Sequence, residues 1–176
     1  DFSRAAETVD LVSGRNVLGT GNSAVMSEIL DNSVDYIFVD PPFGHNLQYS
    51  ELSELWEIWL GVRTDPNPEA IVSKHQQKDT QKYKILMLSC FSEFRRILKP
   101  SGWITVEFHN SSSHIWTAIQ EALMLAGFVV ASVRILDKGQ GTRNQMTQDG
   151  AVNKDLAITA YKPPEEFNVE FSNSVG

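Results

Sequence analysis

Cysteine is almost missing from the chain. Cys90 is the only one in 176 residues, so no internal disulfide can form and no paired-cysteine zinc knuckle can begin. Its expected place is as a buried thiol in a helix. No run of 18 apolar residues occurs, which excludes a membrane span of ordinary length. The opening DFSRAAETVD has neither the basic nor the apolar region of a secretory signal, so the expected location is cytoplasmic. Basic residues are in the minority, 15 Lys+Arg against 22 Asp+Glu for a net charge of -7. That balance argues against a protein that grips nucleic acid with its whole surface, because counterion release needs clustered cations. Repeats and low-complexity tracts are also lacking. What remains, at 41% hydrophobic and 21% charged residues, is the composition of one soluble domain with a sizeable core.

The apolar pattern switches between short β-rich runs and longer helical periods, which predicts an α/β sheet protein. Asn16 to Thr20 reads as a first strand and Ser23 to Leu30 as a helix with Val25, Ile29 and Leu30 on one side. DYIFVD, Asp35 to Asp40, is a continuous apolar run stopped by prolines, the pattern of a central strand buried on both faces. Ser50 to Leu60 sets Leu52, Leu55, Trp56, Trp59 and Leu60 at helical spacing opposite Glu51, Glu54 and Glu57. A long helix is expected from Asp79 to Leu98, with a core stripe of Tyr83, Leu86, Cys90, Phe94, Ile97 and Leu98 and a stop at Lys99-Pro100-Ser101-Gly102. The strand Trp103 to Phe108 follows, then a helix capped near Asn110 or Ser111 and stopped by Gly127. Strands Phe128 to Leu136 and Leu156 to Tyr161, joined by a polar loop from Lys138 to Lys154, predict a terminal antiparallel hairpin on an otherwise parallel sheet. The domain is expected to occupy residues 1–163, with residues 164–176 as a tail.

Chemistry concentrates at Asp40-Pro41-Pro42-Phe43, at the carboxyl end of the strongest strand. Ligands bind at that edge of open α/β sheets. Two prolines stiffen the loop, a carboxylate and the Pro41 carbonyl can accept hydrogen bonds from an exocyclic amino group, and Phe43 can stack on a planar ring. The competing reading is a plain Asp-Pro turn that ends a strand.

NSVDYIFVDPPFGHNLQYSELSELWEIWL resembles motif IV and its continuation in amino-group DNA methyltransferases, where Asp, Asn or Ser precedes Pro-Pro and an aromatic residue. FRRILKPSGWITVEFHN and GAVNKDLAITAYKP resemble the downstream half of such domains, so the similarity covers residues 15 to 163. The resemblance implies the Rossmann-like, class I methyltransferase sheet, S-adenosyl-L-methionine as cofactor, and catalytic roles for Asp40, Pro41, Pro42 and Phe43. Asp at the first position favours adenine N6 or cytosine N4 in DNA, adenine foremost; RNA remains an alternative, since Asp with an aromatic also occurs in RNA adenine methylases. The family's glycine-rich cofactor loop does not precede the motif. The chain therefore resembles the carboxyl-terminal part of a catalytic domain that lacks its first strands. An upstream cofactor-binding region or a partner subunit would complete it; otherwise it would be a non-catalytic binding module on the same fold.

Further candidates are weaker. Asn22 and Ser23, in the small cluster Gly19 to Ser23, would line the cofactor's adenine edge or cap a turn. His109 and Asn110 follow the neighbouring strand and would face the same crevice, and Tyr49 would shape the base pocket, whereas Ser50 reads as an N-cap. The histidines are dispersed, so no metal site is expected. Lys74 to Lys99 holds Lys74, Lys78, Lys82, Lys84, Arg95, Arg96 and Lys99 against Asp79 and Glu93. This is either a phosphate-tracking strip or the solvated face of a helix. The four tryptophans read as core or interface.

Overall fold

The computed structural model describes residues 21–44, 48–109, 112–136 and 155–164. The expected strand at Asn16 to Thr20, the loop Lys138 to Lys154, Asn110 and the tail from Glu165 lie outside the described residues.

Strand β1 (Val34–Val39) is followed by helices α1 (Tyr49–Leu60) and α2 (Thr80–Ile97), strand β2 (Leu98–Phe108), helix α3 (Ser113–Leu125), and strands β3 (Val129–Leu136) and β4 (Asp155–Tyr161). The sheet order is β1-β2-β4-β3. β1 pairs parallel with β2, whereas β4 lies antiparallel to both β2 and β3. The expected hairpin is therefore present, with its second strand inserted beside β2. Alternation in β2 and β4 sends Ile104, Val106, Phe108, Ile158 and Ala160 to one face, where they are buried with Tyr83, Phe91, Ile115, Ile119 and Leu123 of α2 and α3. The opposite face leaves Tyr36, Phe38 and Trp103 exposed, while Val133 and Ile135, paired with Ile158 and Leu156, are exposed along the β3 edge.

That asymmetry corrects the reading of β1 as a strand buried on both faces. Among the described residues β1 is an edge strand, paired only with β2, and only one of its faces is covered. A second correction concerns Ser23 to Leu30, which forms turns rather than a helix. Long-range bonds hold it in that shape: Met26 N–H donates to Glu93, and the Arg96 guanidinium donates to the carbonyls of Met26 and Ile29. The Met26 carbonyl also accepts from Ile29 N–H in a three-residue turn, so the guanidinium adds to turn bonding rather than to an i→i+4 helical ladder.

α2 starts as expected, since the Asp79 side chain accepts from Lys82 N–H at 2.8 Å. Its end differs. Lys99-Pro100-Ser101-Gly102 does not separate helix from strand but lies within β2, as an irregularity between the pairs Val34↔Leu98 and Tyr36↔Trp103. Ser101 takes a left-handed φ of 63° there, and its N–H donates to the Lys162 carbonyl. α1 is amphipathic, yet none of its residues is buried. Trp56, Trp59 and their leucine neighbours are thus not core residues; Trp59 is 83% exposed.

Candidate functional site at the carboxyl end of β1

β1 ends at Val39, and its register with Val106 sets Asp40 and Pro41 beside the carboxyl end of β2. Pro41 is buried, Asp40 is exposed, and Pro42 and Phe43 are half-buried. A bond from α2 and a glycine turn shape the loop. The Tyr83 hydroxyl of α2 donates to the Pro42 carbonyl at 2.7 Å. Gly44 follows with φ 86°, and a Cβ there would stand 3.3 Å from the Ile115 side chain, so a glycine suits this turn.

A cleft of about 680 Å³ opens against this loop. Its walls bring together Asn22 and Ser23, then Asp40, Pro41 and Pro42, then Tyr49, Ser50 and Glu69, with Val39, Met87 and Phe94 as an apolar side. Residues separated widely in sequence thus share one space. Asp40, Asp65 and Glu69 line it, and among the described lining residues there is no Lys or Arg. Such a lining suits a ligand that carries positive charge and an apolar body.

Ser50 does not cap α1 with its own side chain. Gln48 occupies the cap position without a side-chain bond, and Glu69 supplies the cap from a distant loop. Its carboxylate accepts from Ser50 N–H at 3.0 Å and from the Ser50 hydroxyl at 2.6 Å, an anion at a helix amino terminus. Burial pushes the Glu69 pKa up, but the bonds from Ser50, Gln76 and Tyr49 outweigh it and hold the carboxyl below its usual range. Lys78, itself buried, fastens the same loop by donating to the carbonyls of Pro66 and Glu69 at 2.5 and 2.8 Å. Tyr49 is raised above the ordinary tyrosine range, first by burial and then by the charges of Asp40 and Glu69, against a hydrogen bond with the Phe43 backbone. It stays a neutral phenol between two acids. Burial also pushes the Cys90 thiol up, so this half-buried cleft residue is a thiol and not a thiolate.

Phe43 and His109 stand apart from this lining. The Phe43 ring meets Phe108 edge-on at 5.8 Å and His109 at 5.9 Å. His109 Nδ1 lies 2.5 Å from Asp155 Oδ1, a partner that sequence reasoning missed. The basic strip is largely spent on local partners: Lys84 on Glu121, Arg96 on Glu93 and Asp31, Lys99 on Asp35, and Lys78 on backbone. This is the helix-face reading rather than a phosphate track. Among the described residues no cluster of three His, Cys, Asp or Glu side chains is set to hold a metal, and no helix is long and apolar enough to cross a membrane.

No protein-family model matches the chain, and no curated protein matches its sequence. Solved structures do resemble it. A Thermus thermophilus protein described as a DNA modification methylase is 14% identical, with a TM-score of 0.48 over 82% of this chain and 51% of that one. The same protein is also solved in complex with S-adenosyl-L-methionine. M1.HpyAVI, in a complex with S-adenosylmethionine, is 15% identical, with a TM-score of 0.42 over 74% of this chain and 45% of that one. The [4+2]-cyclase SpnF is 13% identical, with a TM-score of 0.49 over 92% and 62%. The chain thus spans 51%, 45% and 62% of the lengths of these three.

Proposed function

We propose that this chain carries the substrate-binding part of an S-adenosylmethionine-dependent methyltransferase that acts on an exocyclic amino group of a DNA base, adenine N6 foremost. One observation supports the reading above the rest: the cleft gathers Asp40 and Pro41 at a strand's carboxyl end with Asn22, Ser23 and Tyr49. The acidic, partly apolar lining suits a sulfonium cofactor. Asn22 and Ser23 supply polar groups for its adenosine part, and S-adenosylmethionine, when bound, supplies an electrophilic methyl group. Asp40 and the Pro41 carbonyl accept from the target amino group and orient its lone pair. Asp40 then takes the proton that the methylated amine sheds, or passes it to water. Phe43 stacks on a base flipped out of the duplex, with Tyr49 as a further pocket group. An upstream cofactor-binding region or a partner subunit completes the site.

The test is methyl transfer from labelled S-adenosylmethionine to unmethylated DNA and, separately, to RNA, by this chain alone and with its completing region, followed by nucleoside mass spectrometry. N6-methyladenine from DNA is the expected product. Asp40→Ala should abolish it while cooperative unfolding persists, because an exposed loop carboxylate is not part of the core. Product from RNA alone would move the substrate class, and no product with either nucleic acid would leave a binding module.

A further inference from the structure

The antiparallel pairing of β4 with β2 matches Phe108 with Leu156, so the next step along each strand sets His109 opposite Asp155. Asp155 is buried, and its Oδ1 lies 2.5 Å from Nδ1 of the partly exposed His109. A carboxylate only accepts hydrogen bonds, so Nδ1 carries the hydrogen and the imidazole is held in one orientation. The held ring in turn meets Phe43 at 5.9 Å. Phe43 is only half-buried, and Phe108, which its ring also meets, is buried. The flank provided by His109 is thus tied to a polar contact across the β2–β4 pair, whereas that of Phe108 is held by core packing.

We propose that Asp155 is a positioning residue, which acts through His109 to fix the Phe43 ring for stacking on the base. The inference rests on the reading of Phe43 as the stacking ring. Asp155 reaches no substrate itself. Its effect is to spare the ring the entropy of being ordered when the base arrives.

The experiment is fluorescence anisotropy of a labelled, adenine-containing single-stranded oligodeoxynucleotide with this chain and its variants, alongside thermal unfolding. Phe43→Ala should weaken binding by roughly tenfold or more. Asp155→Ala should weaken it by roughly three- to tenfold, while Asp155→Asn, which keeps an acceptor of the same size, should restore affinity. His109→Ala should match Asp155→Ala, and it covers the case in which the latter does not fold. In the Phe43→Ala background, His109→Ala and Asp155→Ala should add no further loss. Additive losses overturn the proposal and leave the stacking reading intact. A neutral Phe43→Ala, or a chain that does not bind the oligonucleotide, overturns the stacking reading instead. A second readout needs no ligand: the aromatic carbon resonances of Phe43 should shift in Asp155→Ala and revert in Asp155→Asn. Unchanged resonances in the alanine variant overturn the proposal by themselves.

Discussion

At the scale of single residues, the motif loop owes its shape to a hydroxyl 41 positions away. Tyr83 is fully buried, and its proton, held by burial far above the ordinary range, is permanently available to the Pro42 carbonyl. Tyr83→Phe removes only that oxygen and should cost about 1 kcal/mol in urea unfolding; no change would mean the carbonyl finds water equally well. Glu93 gives a pH dependence. Hydrogen bonds from Arg96, then from Met26 N–H, draw its pKa from 4.5 to about 2. Its folded value lies below its unfolded one, so the stabilisation is complete above about pH 4.5 and is lost as pH falls towards about 2. Stability measured across that window should fall less steeply in Glu93→Gln than in the parent chain, and parallel curves would remove the pair from the account. The place of Asp40, Pro41 and Pro42 at a strand's carboxyl end was readable from the sequence because strand, prolines and carboxylate are contiguous. Asp155 was not, because its contact with His109 spans 46 positions and a loop of no distinctive pattern.

At the scale of elements, local signals served where the element's own residues set its limits. Asp79 marked the start of α2 and the hydrophobic alternation marked β2 and β4. They failed where a distant group decided the outcome. Ser23 to Leu30 has helical spacing, but Glu93 and Arg96 bind its backbone in turns. Helix α1 forms where its spacing indicates, but its apolar stripe is left without a covering element, since none of its residues is buried. Substituting a side chain that is 83% exposed removes little burial, so Trp59→Ala should change chemical-denaturation stability by no more than about 0.5 kcal/mol. A loss of several times that size would show that α1 packs more tightly than its exposure indicates.

For the whole molecule, Lys162 joins parts that the sequence keeps far apart. It is buried, and its ammonium donates to Asn32 Oδ1, Arg95 O and Leu98 O at 2.6, 2.8 and 2.8 Å. These partners lie before β1 and at the end of α2, where carbonyls lack intrahelical donors. Lys162→Met fills similar space but leaves those oxygens without their donor, and should cost about 2–3 kcal/mol in equilibrium unfolding. A neutral effect would mean that the carbonyls are reached by solvent in the variant.

The strand order has a consequence for synthesis. β4, the last strand in sequence, lies between β2 and β3, so β3 leaves the ribosome before its neighbour in the sheet exists. Until residues 155–161 emerge, the growing chain exposes two unsatisfied strand borders, and a nascent polypeptide stalled ahead of them is open to capture by a chaperone or by another copy of itself.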